Sequence, residues 1–347
     1  MFLRIALNVH RLCIPRRRLF LLFLCLSLFI LTLLFFSGHH EEIISYALPL
    51  FYPTRSPLSA TPFKPPAILL SPAKACSPPP LLLILVSSST LHHEQRNAIR
   101  QTWGSSSNLG SSVVTLFVLG LPQSQNDQAA LFQEAKIHGD IIQAAFTDSY
   151  RNLTLKTLVG LSWMSQSCHG AKFLMKTDDD VFVNTFSMSR YLQGQHGPLF
   201  LGRMHWNVYP DRNHDSRHYI STDVFTENYF PPYCSGTGYI LSHEVVESLL
   251  QQTGKGPILS LEDAYVGILA WAAGISPKHS ARLSGSMRIP HNGCCYSTMF
   301  TSHGVTPKAM KEAWKMLSEA RNDWCPFALL RCKVLGNLVE NGQFGQI

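Results

Sequence analysis

The feature that most constrains this chain is an apolar run at 19–36, whose 18 residues include no charge, proline or glycine. A helix of about 20 apolar residues crosses the hydrocarbon core of a bilayer. A cleavable signal peptide has a shorter apolar region, of about 7–15 residues, that ends at a small-residue cleavage site. This run is longer and continues into "SGHHEE". We therefore predict an uncleaved transmembrane signal anchor at 19–36.

The charges around the run predict its orientation. Five arginines and no acidic residue precede it, so residues 1–18 are expected to form a cytosolic tail and the rest of the chain to be lumenal, a type II arrangement. These arginines also account for most of the net charge of +7. The remainder has 24 basic against 22 acidic side chains, a balance that gives no reason to expect a nucleic-acid partner.

Beyond the anchor, the composition divides the chain in two. Residues 37–79 are rich in Pro and Ser and predict an extended stem. Residues 80–347 alternate between apolar strand patterns and helical patterns, which predicts an α/β domain with a mostly parallel sheet. The expected strands are 81–89, 113–120, 140–143 and 172–177, and the expected helices are 127–138 and 153–168. The loop-rich segment 203–233 is typical of a substrate-facing insertion.

Seven cysteines follow the anchor, and a lumenal address makes them candidates for disulfides. Because seven is odd, at least one thiol is free or pairs between chains. Their spacing leaves the connectivity open and matches no zinc pattern. The single Asn-x-Thr sequon, at Asn152, makes a glycoprotein one expectation.

The first candidate site is the acidic triplet Asp178, Asp179 and Asp180 in "KTDDDVFVN", at the end of a predicted strand. Ligands of α/β sheets bind at the carboxyl ends of strands, and clustered carboxylates repel unless a cation is bound. Oxygen ligands suit Mg²⁺ or Mn²⁺ with a substrate phosphate. Alternation along extended backbone would place Asp178 and Asp180 on one face and Asp179 on the other. A solvated acidic turn or a helix N-cap is the competing interpretation.

Three further segments have two interpretations each. Glu262-Asp263 begins a predicted helix, where the carboxylates either complement the helix dipole or include a general base. Arg96 and Arg100 lie four residues apart and either bind phosphate or are solvated on a surface helix. The Gly-Thr-Gly of "YFPPYCSGTGYILS" lacks the phosphate-loop patterns, so a tight turn with aromatic residues around a sugar pocket is expected there.

Taken in order, these segments resemble the β-1,3-galactosyltransferase and β-1,3-N-acetylglucosaminyltransferase family. The resemblance covers about residues 80–320 and rests on "RNAIRQTWG", "LFVLG", "GDIIQAAFTDSYRNLTLKT", "KTDDDVFVN", "YFPPYCSGTGYILS", "EDAYVG" and "CCYSTMFTSHGVTPKAM". It implies a GT-A, Rossmann-like fold and transfer of a sugar from a UDP-sugar to a 3-hydroxyl with inversion. The tail, anchor and stem match the layout of these Golgi enzymes.

The resemblance also implies roles for individual residues. Asp178 is expected to contact the nucleotide sugar and to share the metal. Asp180 is expected to be the principal Mn²⁺ ligand with His303 beside it, and Asp179 to assist. Asp263 is expected to be the catalytic base, and Arg96 and Arg100 are retained as candidate nucleotide contacts.

The sequence thus predicts a Golgi galactosyltransferase with a glycoprotein or glycolipid acceptor, and it leaves a homodimer open. Transfer of GlcNAc or GalNAc is the alternative within the class. An inactive lumenal glycan-binding relative and a metal-dependent phosphohydrolase are the alternatives outside it. The intact acidic motifs disfavour the first of these, and the absence of a two-metal motif disfavours the second.

Overall fold

The computed structural model describes residues 16–52, 64–72, 75–105, 112–254, 257–319, 325 and 327–340. Residues 1–15, most of the predicted cytosolic tail, lie outside this set. The first helix, α1 (Arg16–Ser37), includes the apolar run. Its segment Arg17–Ser37 has a mean hydropathy of 3.0 and no buried residue, so it is long and apolar enough to cross a membrane.

The domain is built on an eight-stranded sheet with strand order β1-β4-β3-β2-β5-β8-β7-β9. Four of these strands, β4, β3, β2 and β5, run parallel, and β8 is antiparallel to β5. A separate two-stranded sheet pairs β6 with β10. The strands are β1 (Ile68–Leu70), β2 (Leu82–Ser87), β3 (Val113–Leu121), β4 (Ile141–Thr147), β5 (Phe173–Asp178), β6 (Phe182–Val183), β7 (Phe200–His205), β8 (Tyr233–Ser242), β9 (Lys278–His279) and β10 (Thr301–Ser302). The predicted α/β class with a parallel-rich sheet is confirmed.

Helices cover both faces of this sheet. They are α2 (His39–Phe51), α3 (His93–Gln101), α4 (Gln125–His138), α5 (Leu153–Ser167), α6 (Thr185–Gln193), α7 (His243–Gln252), α8 (Glu262–Ala272), α9 (Gly293–Thr298), α10 (Pro307–Glu319) and α11 (Ala328–Glu340). Along β2, Leu82, Ile84 and Val86 enter the core beneath α3 and α10. Leu83 and Leu85 enter the core beneath α5, α7 and α8. A strand covered on both faces is apolar throughout, which is why "LLLILV" could be recognised.

The topology places a crevice at one end of β2. The helix that follows β2, α3, packs on one face of the sheet, and the helix that precedes β5, α5, packs on the other. Crossovers that change faces leave an opening at the carboxyl ends of the strands between them, which is where ligands bind in such sheets. At that edge Ser87, the last residue of β2, pairs with Asp178, the last residue of β5.

Two expectations are corrected by the fold. Part of the segment predicted to be an extended stem is folded, since 39–51 forms α2 and 68–70 forms β1, an edge strand paired with β4. The predicted tight turn around Gly-Thr-Gly is a continuous ten-residue strand, β8. The loop-rich prediction holds for 206–232, which has no helix or strand apart from one isolated bridge.

Disulfides join three pairs of the cysteines that follow α1: Cys76–Cys168, Cys294–Cys325 and Cys295–Cys332. The first ties the end of the predicted stem to the end of α5. The seventh thiol, Cys234 on β8, is free and buried, and burial raises its pKa. The odd count in the sequence therefore corresponds to one buried thiol.

Candidate active site

The three aspartates are held differently at the end of β5. The side chains of Asp178 and Asp180 are 33% and 46% exposed, whereas that of Asp179 is 10% exposed. Asp179 accepts hydrogen bonds from Ser88 Oγ at 2.7 Å and from His92 Nδ1 at 2.8 Å. The triplet therefore presents two carboxylates to the crevice and uses the third to fix the loop that follows β2.

Asp180 lies beside His303, with 3.4 Å between Asp180 Oδ2 and His303 Nε2. The pairing of β6 with β10 brings these distant segments together, and the Val305 amide donates to the carbonyl oxygen of Asp180. Burial, together with the charges of Asp178 and Asp179, raises the pKa of Asp180 against the opposing effect of His303. A cation at this place would remove that repulsion.

The donor chemistry fits a divalent cation that keeps some of its own ligands. One carboxylate oxygen and one imidazole nitrogen lie together, and both side chains are partly exposed. Within the described ranges, no three His, Cys, Asp or Glu side chains converge as a complete metal cage. Mn²⁺ and Mg²⁺ are commonly bound by one or two protein groups, with water and substrate phosphate in the other positions.

Lys176 connects the two acidic segments beneath the crevice. Its ammonium is buried and lies 2.8 Å from Asp178 Oδ1, 3.3 Å from Glu262 Oε2 and 2.6 Å from the carbonyl oxygen of Gly236. Burial alone would favour the neutral amine, but the charges of Asp178 and Glu262 raise the pKa of Lys176. One cation thus holds β5, β8 and the start of α8 in a fixed arrangement.

Glu262 and Asp263 are adjacent but have different surroundings. Glu262 is buried, and its Oε1 accepts from Tyr239 OH at 2.6 Å and from Thr157 Oγ1 at 3.0 Å. Asp263 is half-buried, and its two oxygens accept from backbone amides, Gly236 N at 3.1 Å and Ala264 N at 2.9 Å. Glu262 belongs to the packed interior, and Asp263 is oriented by the backbone.

Gly236 lies close to both acidic side chains of this segment. A Cβ at this position would lie 3.2 Å from Glu262 Oε2 and 3.5 Å from Asp263 Oδ2. Glycine within a strand often marks such a close approach. Its amide orients Asp263 and its carbonyl holds Lys176, so the Gly-Thr-Gly segment positions the site from within β8.

Aromatic and imidazole rings surround Asp263. His205, at the end of β7, lies 5.3 Å from the ring of Tyr233, and burial lowers the pKa of His205 while Asp263 opposes that shift. Burial raises the pKa of Tyr150, and the charges of Asp263 and Asp178 add to it, so this ring lies near both carboxylates. Arg217 of the 206–232 loop lies over Tyr150 at 5.5 Å. Rings beside a carboxylate are a suitable surface for a sugar.

The structure assigns Arg96 and Arg100 a different role from the predicted one. Arg96 is 1% exposed and forms a bidentate pair with Glu134 at 2.6 and 2.8 Å. Arg100 binds Glu134 at 2.7 Å and Asp140 at 2.8 Å. Arg96 also donates to Ser88 Oγ at 3.1 Å, so it supports the loop that contacts Asp179. Neither a nucleotide contact nor a solvated helix face describes these arginines.

Three positioning residues escaped the sequence analysis: Ser88, His92 and Lys176. Lys176 was detectable in principle, because a lysine inside an apolar strand and two residues before Asp178 shares a face with it. A buried lysine needs partners, and that requirement is a signal. His92 and Ser88 had no such signal, because their contact with Asp179 depends on the pairing of β2 with β5.

Comparison with known proteins identifies the family. A family model described as galactosyltransferase matches residues 94–281, which include both acidic segments. The chain belongs to the galactosyltransferase family. Mouse β-1,3-galactosyltransferase 4 is 42% identical over 86% of this chain and 89% of its own length. The human protein of that name is 37% identical over 92% and 97%.

Two other comparisons concern a relative named for a different sugar and a solved structure. A zebrafish lactosylceramide 1,3-N-acetyl-β-D-glucosaminyltransferase is 38% identical over 66% of this chain and 62% of its own length. The apo structure of the bifunctional glycosyltransferase WbbM covers 70% of this chain and 45% of its own, with a TM-score of 0.34 and 8% identity. The chain is a glycosyltransferase, for which a sugar donor and a glycan acceptor are the substrates.

Proposed function

We propose that this enzyme transfers galactose from UDP-galactose to the 3-hydroxyl of an acceptor glycan, in β linkage and with inversion. Support comes from the mouse and human relatives, which are named β-1,3-galactosyltransferases and match nearly the whole chain. The observation that carries the proposal is that Lys176 joins Asp178 to Glu262 and so fixes the two acidic segments that also contain the open carboxylates Asp180 and Asp263. In the proposed reaction each segment provides one acidic group, one for each side of the reacting sugar.

Asp263 is the proposed general base. A displacement with inversion requires a group that takes the proton of the attacking hydroxyl, and a positioned carboxylate provides it. Hydrogen bonds from Gly236 N and Ala264 N fix the carboxylate plane, so little reorganisation is needed when the acceptor arrives. Tyr150, Tyr233 and His205 would bind the faces of the sugar rings.

Asp180, Asp178 and His303 are the proposed holders of Mn²⁺, and Asp178 would lie closest to the nucleotide, with Asp179 assisting. Bound there, Mn²⁺ would supply positive charge for the diphosphate of the departing UDP. One carboxylate oxygen of Asp178 already accepts a hydrogen bond from Lys176, so the other oxygen is available to the metal. Ser88 and His92 would keep Asp179 in place behind them.

We further propose a Golgi location with the catalytic domain in the lumen. The long apolar helix α1, the arginines before it and the three disulfides beyond it support this orientation. A homodimer is the assembly that we propose to test. Measuring the size of the detergent-solubilised chain shows whether two copies associate.

The test is a transfer assay on the full chain in detergent, with UDP-galactose, UDP-GlcNAc and UDP-GalNAc and a panel of acceptor saccharides, in Mn²⁺ or in EDTA. We expect UDP-galactose to be the best donor, NMR of the product to show a β-1,3 linkage, and EDTA to abolish transfer. Faster transfer of GlcNAc would favour the function of the zebrafish relative. Glycan binding without transfer would favour a lectin-like role.

A matched pair of variants tests the metal ligands. Asp180→Asn should raise the Mn²⁺ concentration needed for half-maximal transfer by about 10-fold or more, because it removes a charged ligand. Asp127→Asn, on the remote helix α4, should leave that concentration unchanged. Full activity of Asp180→Asn in low Mn²⁺, or transfer by the wild-type chain in EDTA, would contradict the assignment.

A further inference from the structure

The helix α2 follows the membrane helix α1 with only Gly38 between them. Gly38 has a φ of +78°, and a Cβ there would lie 2.6 Å from Lys333 Nζ of α11. The left-handed conformation favours glycine, and a larger residue here would displace the end of the Lys333 side chain. The chain therefore turns sharply where it leaves the apolar run, and α11 contacts α1 at this part of the fold.

One side of α2 is fixed to the catalytic domain. Glu41 forms an ion pair with Arg203 and lies 3.0 Å from His279 Nε2. Glu42 Oε1 accepts from the backbone amide of Ala281 at 2.7 Å. Leu48, about two turns further along this side, is 8% exposed. These contacts join α2 to β7 and β9, so α2 is a docked element of the domain.

The other side of α2 is apolar and exposed. Ile43, Tyr46 and Leu50 are 60%, 70% and 82% exposed, and their spacing places them on one helical face. Ile44 and Phe51 flank this face and are 40% and 76% exposed. A contiguous apolar patch of this kind is unusual on a surface that meets only water.

This face is continuous with the membrane helix. An open cleft between the two helices is lined by apolar residues of both, among them Leu31, Leu34 and Phe35 of α1 and Ile43 and Ile44 of α2. Lys278 Nζ lies 5.9 Å from the ring of Tyr46. Aromatic and basic side chains bordering an apolar surface are typical of the water–lipid interface. Lipid acyl chains are apolar like the walls of this cleft, and α1 places the cleft at the bilayer.

We propose that the exposed face of α2, formed by Ile43, Ile44, Tyr46, Leu50 and Phe51, lies in the interface of the phospholipid bilayer that α1 spans. An amphipathic helix of this kind lies in the plane of the membrane with its apolar face buried among the headgroups and upper acyl chains. Its opposite side holds Arg203, His279 and Ala281, so the catalytic domain rests on the membrane surface. The inference concerns binding to lipid and holds whichever sugar is transferred.

The direct test measures depth in the membrane. The full chain with Cys13→Ser and Cys25→Ser is reconstituted in phosphatidylcholine vesicles and carries a nitroxide at Leu50→Cys or, as a matched control, at Ile137→Cys. Ile137 is an exposed apolar residue of α4, 74% exposed. We expect lipid-soluble oxygen to relax the label at 50 several-fold more than a water-soluble nickel chelate does, and the reverse at 137. Equal access of the chelate to both labels would overturn the proposal.

A second experiment measures sugar transfer and needs no nitroxide label. Ile43→Asp with Leu50→Asp should lower transfer to an acceptor displayed on vesicles by about 10-fold or more and leave transfer to the same glycan in solution unchanged. Phe132→Asp with Ile137→Asp on α4 is the control and should change neither rate. Equal loss on both acceptors would contradict a membrane role. This arm rests on the proposed function, whereas the nitroxide arm does not, so a failure of one is distinguishable from a failure of the other.

Discussion

Two classes of carboxylate can be compared in this molecule: those closed by a Lys or Arg partner and those left open at the crevice. Glu262 is closed by Lys176, Glu134 by Arg96 and Arg100, and Glu41 by Arg203. Asp180 and Asp263 have no Lys or Arg partner among the ion pairs of the described residues. A closed carboxylate joins two elements of the fold, and an open one has capacity left for a substrate or a metal.

The comparison predicts opposite phenotypes for the two classes. Loss of an open carboxylate should reduce activity and leave the free energy of unfolding nearly unchanged. Loss of a closed carboxylate, or of its cation, should reduce the free energy of unfolding, because it leaves a buried charge without a partner. The variants below test this division, starting with the largest expected effect.

Asp263→Asn should lower kcat by about 10²–10⁴-fold, the usual contribution of a general base. The amide is nearly isosteric and keeps an oxygen for the Gly236 amide but loses the acceptor for the Ala264 amide, so the thermal midpoint should fall less than in Lys176→Met and the affinity for UDP should change little. Steady-state transfer, calorimetric titration with UDP and thermal unfolding measure the three quantities. A variant with wild-type kcat would remove Asp263 from the mechanism, and a large fall in the thermal midpoint would place it among the closed carboxylates.

Lys176→Met should lower the free energy of unfolding by about 3–5 kcal/mol, because Asp178 and Glu262 lose a shared buried cation. Chemical denaturation of the full chain in detergent measures this value. Lys172→Met is the matched control, since Lys172 is exposed and begins the same "KFLMKT" segment. A stable Lys176→Met variant with normal transfer would show that the bridge neither holds the fold nor positions the site.

Glu134→Gln should lower the free energy of unfolding by about 1.5–3 kcal/mol, the range for a hydrogen bond to a charged group. Because Arg96 is 1% exposed, its charge would stay buried without a carboxylate partner. Glu94→Gln, an exposed change on α3, is the control. If Arg100→Met instead weakened UDP binding without changing stability, the arginines would return to their predicted role at the nucleotide.

Fold and site were predictable where a local pattern determined the structure. The continuous apolar runs of β2 and β3 and the helical recurrence of α5 were found to within a few residues, because burial on both faces or on one stripe shows in the sequence. The three aspartates were conspicuous for the opposite reason, since charge is costly where the neighbours are buried.

What remained unpredicted depended on contacts between distant segments. The segment "HHEEIISYALPLF" contains a proline and follows an anchor, and only the contacts of Glu41 and Glu42 with the domain show why it is an ordered helix. β1 has three residues and exists by pairing with the edge of β4. The residue pattern alone did not separate Glu262 from Asp263, and only the family resemblance favoured Asp263; in the structure the burial of Glu262 beside Lys176 separates them.

The smallest predicted effect concerns the pH dependence of the closed carboxylate Glu41. Burial opposes its charged form, but the hydrogen bond with His279 and the charge of Arg203 lower the pKa of Glu41 to about 2, so it stays ionised between pH 7.5 and 5.5. Burial and the charge of Arg203 lower the pKa of Lys333 to about 8, so it stays mostly protonated over this range. Burial and the charges of Arg203 and Lys333 lower the pKa of His279, against the opposing effect of Glu41.

His279 is then the group that titrates. Its pKa is below the ordinary value of 6.5 because burial outweighs the effect of Glu41, so the unfolded chain takes up protons first and the free energy of unfolding falls slightly as the pH falls through that value. Chemical denaturation at pH 5.5 and 7.5 should show this small loss, and His279→Gln should remove it. Glu41→Gln should lower the free energy of unfolding at both pH values, because it removes the partner of Arg203 at any pH. A pH dependence that is equal with and without His279 would place the titrating group elsewhere and would leave Glu41 and Arg203 as the pH-independent part of the attachment.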